Sequence, residues 1–355
     1  MRKLLVAAGL GVVLMAPVSA SASLIDLGPK APPAIEIVPG DMSGRAAALT
    51  KVTSEKALMG VRRVAIGQFQ VEFVKRSLGL TRKERNQTTV TYEIETPMPD
   101  TSLQAQTDKL YQAFVDQLTA AGFEVVPRAT MMAAVAWPKL AAIAKPSPAE
   151  VSTESGKGML TNAFGDPYYY AIPDPHLGSM GGMTWGFTMG SMKEQALAAE
   201  LDAAVVDVRL VVGFKETDKH NDMFAIARVG SSFVGNPRLV AQAVATGLTV
   251  TAAKAGPATI TLNSDLLFPG ETLSANMKMD TSNAQEASNI VAKGMFGMRV
   301  LGGIVPGVGA LPAMKLNTAY KVACNPSETE YMNDVHANLS AVTGMLVARF
   351  ASAPR

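Results

Sequence analysis

Residues Ala204–Phe214 read AVVDVRLVVGF, and large apolar residues occupy every second position from Val206 onward. This alternation predicts a β-strand with one face buried in a core. The other face carries Asp207 and Arg209, which stand two positions apart and are expected to pair with each other. A strand of this kind needs neighbouring strands, and other parts of the chain have the pattern to supply them.

Two strands are predicted well before this one. Arg62–Arg76 is rich in β-forming residues, and its alternation changes phase near Gln68, which indicates a bulge or a bend. Thr88–Thr96 also alternates, so the two strands are expected to form a hairpin through residues 77–87. The hairpin connection either lies in solvent or contacts the phosphates of an acidic lipid, because it carries Arg82, Lys83 and Arg85.

Amphipathic helices alternate with these strands. Thr101–Gln104 matches a capping box, and the helix it begins has Phe114 on its apolar face and Gly122 at its C-terminal cap. Ser191–Glu194 is a second capping box. Asn325-Pro326 begins the last helix, whose apolar stripe consists of Tyr331, Val335, Leu339, Val342, Leu346 and Phe350.

Weaker patterns fill the intervals between these elements. They predict helices over 46–58, 131–144 (broken at Pro138) and 284–296, and strands over 123–126, 239–253, 258–267 and 317–323. Strands alternating with amphipathic helices indicate an α/β fold with a mixed sheet flanked by helices. A mixed α+β arrangement is left open.

The chain divides into three parts by composition. Residues 1–22 are a signal peptide, residues 23–60 form a proline-interrupted N-terminal leader segment expected on the surface, and residues 61–355 form a single α/β domain. Within the domain, residues 145–190 are a proline- and glycine-rich insert. Long loops inside compact domains are uncommon and are often functional.

The N-terminus carries the targeting signal. Met1-Arg2-Lys3 is basic, residues 4–18 are uncharged and mostly apolar, and Ala20-Ser21-Ala22 is a small-x-small cleavage pattern. These features predict a periplasmic or secreted protein cleaved after Ala22. An uncleaved anchor is the alternative.

Charge and cysteine content narrow the class of protein further. The 355 residues carry a formal net charge of +2, and removing Arg2 and Lys3 takes it to about zero. A neutral protein has no general attraction to nucleic acid, so a nucleic-acid partner is not expected. Cys324 is the single cysteine, so no intrachain disulfide forms and the apolar core supplies the stability.

Two units of the sequence resemble a known family. The first unit consists of a strand, a helix and a closing segment, which are Val64-Ala65-Ile66, the helix with Leu110, Phe114 and Leu118, and Ala121–Val126. In the second unit, Ala198–Val206 leads from a helix into a strand. Their order resembles the envelope α/β domain of the curli-export channel family and the amino-terminal domain of the Tol-system propeller protein. The resemblance covers residues 60–130 and 190–265. It implies a fold and an envelope role rather than an enzyme. The chain departs from the curli-export family in lacking its lipid-anchored cysteine and in having the 145–190 insert.

Catalytic and cofactor motifs are weak. Asp166, Asp174 and His176 lie close together in the insert and would suit zinc, but ordinary loop polarity explains them without a metal. The glycine-rich segments 156–158 and 302–309 complete no phosphate- or dinucleotide-binding motif, so no cofactor and no metal are predicted. A periplasmic hydrolase therefore requires Asp, Ser and His residues brought together from separate parts of the chain.

Aromatic residues in the insert are the best binding candidates. They are Tyr168, Tyr169, Tyr170 and Trp185 in a chain that is only 6% aromatic. On an exposed loop they would contact an envelope protein or a glycan. The alternative is that they anchor the insert to the core.

The function expected from these features is non-enzymatic binding or scaffolding in envelope assembly or maintenance. An alternative is an oligomeric, membrane-engaging assembly similar to secretion channels, because residues 300–314 carry no charge. This stretch is short for a spanning helix, so no stable transmembrane span is expected after cleavage. Homo-oligomerisation is left open.

Overall fold

The computed structural model describes residues 34–82, 89–153, 156–169, 190–216, 237–243, 245–269, 277–280, 317–324 and 326–354. All of them belong to one compact unit, residues 32–355. They form a sheet of parallel and antiparallel strands with helices on both faces, so the predicted α/β class is confirmed. The described helices include none that is long and apolar enough to cross a bilayer.

Fourteen strands of the described residues join into one sheet. They are β1 (Ile35–Glu36), β2 (Thr50–Thr53), β3 (Arg63–Arg82), β4 (Thr89–Glu95), β5 (Glu124–Val125), β6 (Ala149–Thr153), β7 (Gly156–Asn162), β8 (Ala204–Glu216), β9 (Pro237–Ala241), β10 (Gly247–Thr251), β11 (Ala258–Leu262), β12 (Leu266–Leu267), β13 (Met277–Asp280) and β14 (Asn317–Cys324). The helices that accompany them are α1 (Ala46–Leu49), α2 (Asp100–Ala120), α3 (Arg128–Met132), α4 (Trp137–Ala141), α5 (Gly190–Leu201) and α6 (Glu328–Ala351).

The strand order along the sheet is β1-β12-β9-β8-β3-β4-β14-β13. β10 pairs with the first half of β8, and β11 and β2 continue the sheet beyond it. On the other side of β3, β5, β7 and β4 pair with successive parts of the strand. β3 is therefore the strand around which the sheet is organised.

β3 and β8 form the parallel pair at the centre, with residues 64–73 of β3 beside 204–212 of β8. The register shifts by one residue at Gly67, so the change of phase predicted near Gln68 is confirmed as a bulge. Gly67 has room only for a hydrogen atom, because a Cβ there would lie 2.6 Å from Asp207 Oδ1.

One face of the central pair packs against α2 and α6. Phe114 is fully buried, and its ring centroid lies 5.5 Å from that of Phe69 on β3. The predicted apolar stripe of the last helix is buried along its whole length. Gly122 follows α2 with a φ of 84°, the left-handed conformation predicted for its cap.

The beginnings of both helices differ from the prediction. α2 starts without a side-chain cap, and Gln104 donates its Nε2 to the Asn162 carbonyl at 2.9 Å instead of closing a capping box. The last helix is capped by Ser327, two residues later than predicted, and the Ser327 Oγ accepts from the Glu330 N–H at 3.2 Å. Residue types alone misplace such caps because neighbouring polar residues compete for the same backbone groups.

α3, α4 and α5 cover the opposite face and share a second core cluster with Ala65 and Val205. The helix predicted over 131–144 is two short helices, and the chain breaks before Trp137. Pro138 then stands at the start of α4, where its missing N–H leaves no hydrogen bond unmade.

Two regions expected outside the sheet contribute strands to it. The helix predicted over 46–58 consists of α1, β2 and a 3-10 turn, and β2 extends the sheet beside β11. In the insert, β6 and β7 form a hairpin, and β7 pairs with β3. The first half of the 145–190 insert is therefore part of the sheet and not a loop.

The remaining predicted elements are confirmed or divided. The strands predicted over 123–126 and 317–323 are present as β5 and β14. Those predicted over 239–253 and 258–267 each divide in two, as β9 with β10 and β11 with β12. The division lets β9 and β10 pair with different halves of β8. The helix predicted over 284–296 lies outside the described residues.

Candidate functional site

The predicted binding aromatics fall in two groups. Tyr168 and Tyr169 are each 3% exposed, and Tyr170 and Trp185 lie outside the described residues. The Tyr169 N–H donates to Gln68 Oε1 at 2.7 Å, and the Tyr169 carbonyl accepts from Gln70 Nε2 at 2.9 Å. Burial of Tyr168 and Tyr169 is what the core-anchoring alternative requires. A partner-binding role for all four stays a prediction.

These two hydrogen bonds lead to a row of polar side chains on the face of the central pair that α5 covers. The bulge at Gly67 is the cause, because one extra residue reverses which side chains of β3 face α5. The row contains Gln68, Gln70 and Glu72 of β3, Asp207 and Arg209 of β8, and Thr249 of β10. All except Arg209 are buried.

Two carboxylic acids meet in this row. Glu194 of α5 is 1% exposed and Asp207 is 3% exposed, and each carboxyl group shifts the pKa of the other. Thr251 Oγ1 donates to Glu194 Oε2 at 2.7 Å. Tyr169 Oη makes a long hydrogen bond of 3.5 Å to Asp207 Oδ1. The pair thus joins a helix, two strands and the insert.

The proton balance of this pair follows from its surroundings. Burial, and then the neighbouring Glu194, raise the pKa of Asp207 well above its ordinary value. Burial also raises the pKa of Glu194, and hydrogen bonds from Asp207 and Thr251 oppose that rise. Two adjacent carboxylates cannot both ionise in such a site, so the pair holds one shared proton, with Asp207 as its donor.

Unpaired oxygen atoms support the same conclusion. Glu194 Oε1 and Asp207 Oδ2 receive no donor from any other residue that the structure describes. The Gln68 side chain opposes the rise in the pKa of Asp207, and its Nε2 has no hydrogen-bond acceptor among the described residues. These unpaired oxygens agree with one carboxyl group of the pair being protonated.

The predicted pairing of Asp207 with Arg209 is wrong. Arg209 Nη2 lies 2.8 Å from Glu72 Oε2, and its Nη1 donates to Gln70 Oε1 at 3.3 Å. Both partners stand on the neighbouring strand, and a cross-strand partner is closer than a residue two positions along the same strand. Arg209 is thereby engaged elsewhere, and a proton balances the charge at Asp207.

The capping box predicted at Ser191–Glu194 is wrong. The helix begins at Gly190, and Glu194 points into the sheet beside Leu197 and Ala198 of the second core cluster. The signal that identifies it is position, because Glu194 shares a helix face with Leu197, Ala198 and Leu201. A carboxyl on an apolar helix face requires a buried partner.

The Glu194–Asp207 pair holds a proton and joins α5, β8, β10 and the insert. Neither carboxyl reaches solvent, so the pair presents no surface on which a substrate could react. Burial and the two acids raise the pKa of the Tyr169 phenol well above its ordinary value, which keeps this group neutral as a donor.

The acidic group considered for zinc is divided. Asp166 forms a two-pronged ion pair with Arg128, with Arg128 Nε 2.8 Å from Asp166 Oδ2. Asp174 and His176 lie outside the described residues. In the described part of the chain, no three His, Cys, Asp or Glu side chains are grouped to hold a metal ion.

Comparisons with known proteins add nothing to this description, since no family model, no curated protein and no solved structure matches the chain.

Proposed function

We propose that the chain acts by binding, as a non-enzymatic scaffolding protein of the cell envelope, and that one end of its sheet is the contact surface. The signal peptide expected at residues 1–22 supports a location in the periplasm or outside the cell. The topology of the described strands supports the choice of surface.

Three connections start and finish at the same end of the sheet. β3 leads into residues 83–88 and returns as β4, β8 leads into 217–236 and returns as β9, and β13 leads into 281–316 and returns as β14. β8 runs parallel to β3. β14 runs parallel to β4, so β13 also runs in the direction of β3. The three connections therefore leave one end together, and this is the observation that carries the proposal.

Connections gathered at one end of a rigid scaffold are a common way to build a recognition surface. The other end of the sheet provides a natural control. The turn from β10 to β11 lies there, because β10 runs antiparallel to β8 and Thr251 stands opposite Val205. Lys254 is exposed in that turn.

Site-specific photo-crosslinking tests the proposal. A crosslinking amino acid replaces Gln87 in one variant and Lys254 in the other, and each full-length precursor is expressed in the envelope of living cells. We expect crosslinked envelope partners from position 87 and none from position 254. Equal crosslinking from both positions, or none from position 87, would contradict the proposed surface.

A second candidate is an oligomeric, membrane-engaging assembly. It is favoured by the contents of the same connections, since residues 300–314 carry no charge and Lys83 and Arg85 add basic groups. Uncharged and basic segments together are typical of chains that engage an anionic lipid surface. Size-exclusion chromatography with light scattering, with and without detergent, separates the candidates. The scaffold remains one size, and the assembly acquires a defined oligomeric mass in detergent.

A further inference from the structure

Phe164 is an exposed aromatic residue in a backbone conformation that bulky side chains rarely adopt. The residue is 51% exposed, and its φ and ψ are 60° and 15°. Gly165 follows with a φ of 67°. A left-handed conformation is unfavourable for a residue with a large Cβ substituent, and glycine or asparagine would suit this turn better. The backbone conformation of this turn does not call for an aromatic residue.

Neighbouring groups hold the ring in one position. The Phe164 N–H donates to Asp108 Oδ1 at 2.7 Å, which fixes the backbone of the turn. The Tyr111 ring stands edge-on at 5.0 Å between centroids, with an interplanar angle of 72°. Arg128 Cζ lies 5.0 Å from the centroid of the Phe164 ring. The ring is therefore presented to solvent by two helices, α2 and α3, as well as by its own turn.

The polar groups around the ring are planar and partly exposed. The Arg128 and Asp166 side chains, which pair with each other, are 33% and 22% exposed. The Tyr111 hydroxyl has no hydrogen-bond partner among the described residues. Donors and acceptors thus lie beside one exposed aromatic ring.

We propose that Phe164, with Tyr111 and the Arg128–Asp166 pair, is a binding site for a neutral sugar unit of a glycan. One face of a pyranose ring consists of C–H groups and matches the area of a single aromatic ring. The hydroxyl groups at the rim of a sugar ring both donate and accept hydrogen bonds. They suit the Arg128 guanidinium, the Asp166 carboxylate and the Tyr111 phenol that lie beside the Phe164 ring. A protein partner would need a larger apolar contact around the aromatic anchor.

This site is independent of the surface proposed for scaffolding. β7 runs antiparallel to β3, so residues 163–165 follow it toward the end of the sheet opposite the three connections. Loss of glycan binding and loss of crosslinking from position 87 are therefore separate outcomes.

The test uses the mature full-length chain with chitohexaose and cellohexaose as probes, measured by isothermal titration calorimetry and saturation-transfer NMR. We expect at least one hexasaccharide to bind, and Phe164→Gly to weaken its affinity about thirtyfold, as for a central interface aromatic. Phe164→Tyr keeps the ring and is expected to bind within roughly threefold of the wild type. Val38→Ala, at an exposed apolar residue outside the site, changes nothing.

Phe164→Gly also separates recognition from structure. Glycine adopts the observed φ without strain, so we expect the variant to melt at the wild-type temperature or above it. A clearly lower melting temperature would assign the ring to packing and overturn the proposal. Failure of both hexasaccharides to bind the wild type, or equal binding by Phe164→Gly, would overturn it as well. A protein captured through Phe164 without saccharide binding would replace the glycan by a protein partner.

Discussion

The two faces of the β3–β8 pair share one backbone and are stabilised in different ways. On the face covered by α2 and α6, apolar side chains such as Val208 and Phe69 pack in a continuous core. On the face covered by α5, Glu72, Asp207 and their partners are buried by hydrogen bonds and charge. When a buried apolar side chain is truncated, the protein loses stability in proportion to the apolar surface removed. A buried polar network is stable only while each partner and each proton is in place.

The apolar face should show the largest effect of a single substitution. Phe114→Ala removes a fully buried ring and is expected to lower the free energy of unfolding by about 3–5 kcal/mol. Gln112→Ala, on the exposed side of α2, is the control and should change it by less than about 0.5 kcal/mol. Urea unfolding measures both. Similar losses in the two variants would mean that the helix does not pack as described.

On the polar face, Arg209→Met leaves Glu72 buried without its cation. We expect a loss of about 3 kcal/mol in the free energy of unfolding, because an uncompensated buried charge is strongly destabilising. The double variant Arg209→Met with Glu72→Leu removes both charges and should recover most of this loss. If the double variant is no more stable than the single one, packing of Arg209 rather than its charge holds the strands together.

Gly67 lies between the two faces, and Gly67→Ala tests the bulge. The new Cβ would stand 2.6 Å from Asp207 Oδ1 and 2.7 Å from Val205 Cγ1, so these buried side chains must shift. We expect a loss of about 1–3 kcal/mol, the usual effect of overfilling a packed interior. Gly256→Ala is the matched control, since a Cβ at Gly256 meets nothing within 4 Å. An unchanged midpoint of urea unfolding in Gly67→Ala would contradict the close approach.

The smallest effect per measured step concerns pH, because only one proton is involved. Because the pKa of Asp207 is raised in the folded protein, the folded state holds a proton that the unfolded chain releases above about pH 4. This contribution to stability is complete below the unfolded pKa and is lost as pH rises through the folded pKa. The free energy of unfolding should therefore fall with rising pH, by at most about 1.4 kcal/mol per pH unit for one proton.

Asp207→Asn removes the titrating group while keeping a donor toward Glu194. Its free energy of unfolding should depend less on pH than that of the wild type, and the exposed control Asp116→Asn should keep the wild-type slope. Denaturant titrations from pH 4 to pH 9 measure the slopes. The same slope in Asp207→Asn and in the wild type would rule out a proton held by this pair.

The same comparison explains what the sequence could predict. Alternation along β8, the stripe of the last helix and the phase change near Gln68 are local patterns, and each is confirmed. They were predictable because an apolar face can pack against any other apolar surface, so its partner need not be identified. The polar face needs particular neighbours, and these come from distant parts of the chain, such as Glu194 for Asp207 and Glu72 for Arg209.

The insert shows the same limit. Its proline and glycine content indicated a loop, yet β7 completes one side of β3. Strand pairing of this kind depends on which edge of the sheet is left unpaired, and composition carries no information about that. The sequence shows that tyrosines are concentrated in the insert. It does not show that Tyr168 and Tyr169 are buried, because their burial depends on contacts with other elements of the fold.

The central parallel pairing also determines when the chain can fold. Only Arg63 and Val64 of β3 have an earlier parallel partner, in β5, and the rest of the parallel pairing waits until β8 has been synthesised. Contacts between such distant residues form slowly, because a long loop must close before they are made. During most of its synthesis the chain therefore lacks the pairing that would lock its sheet.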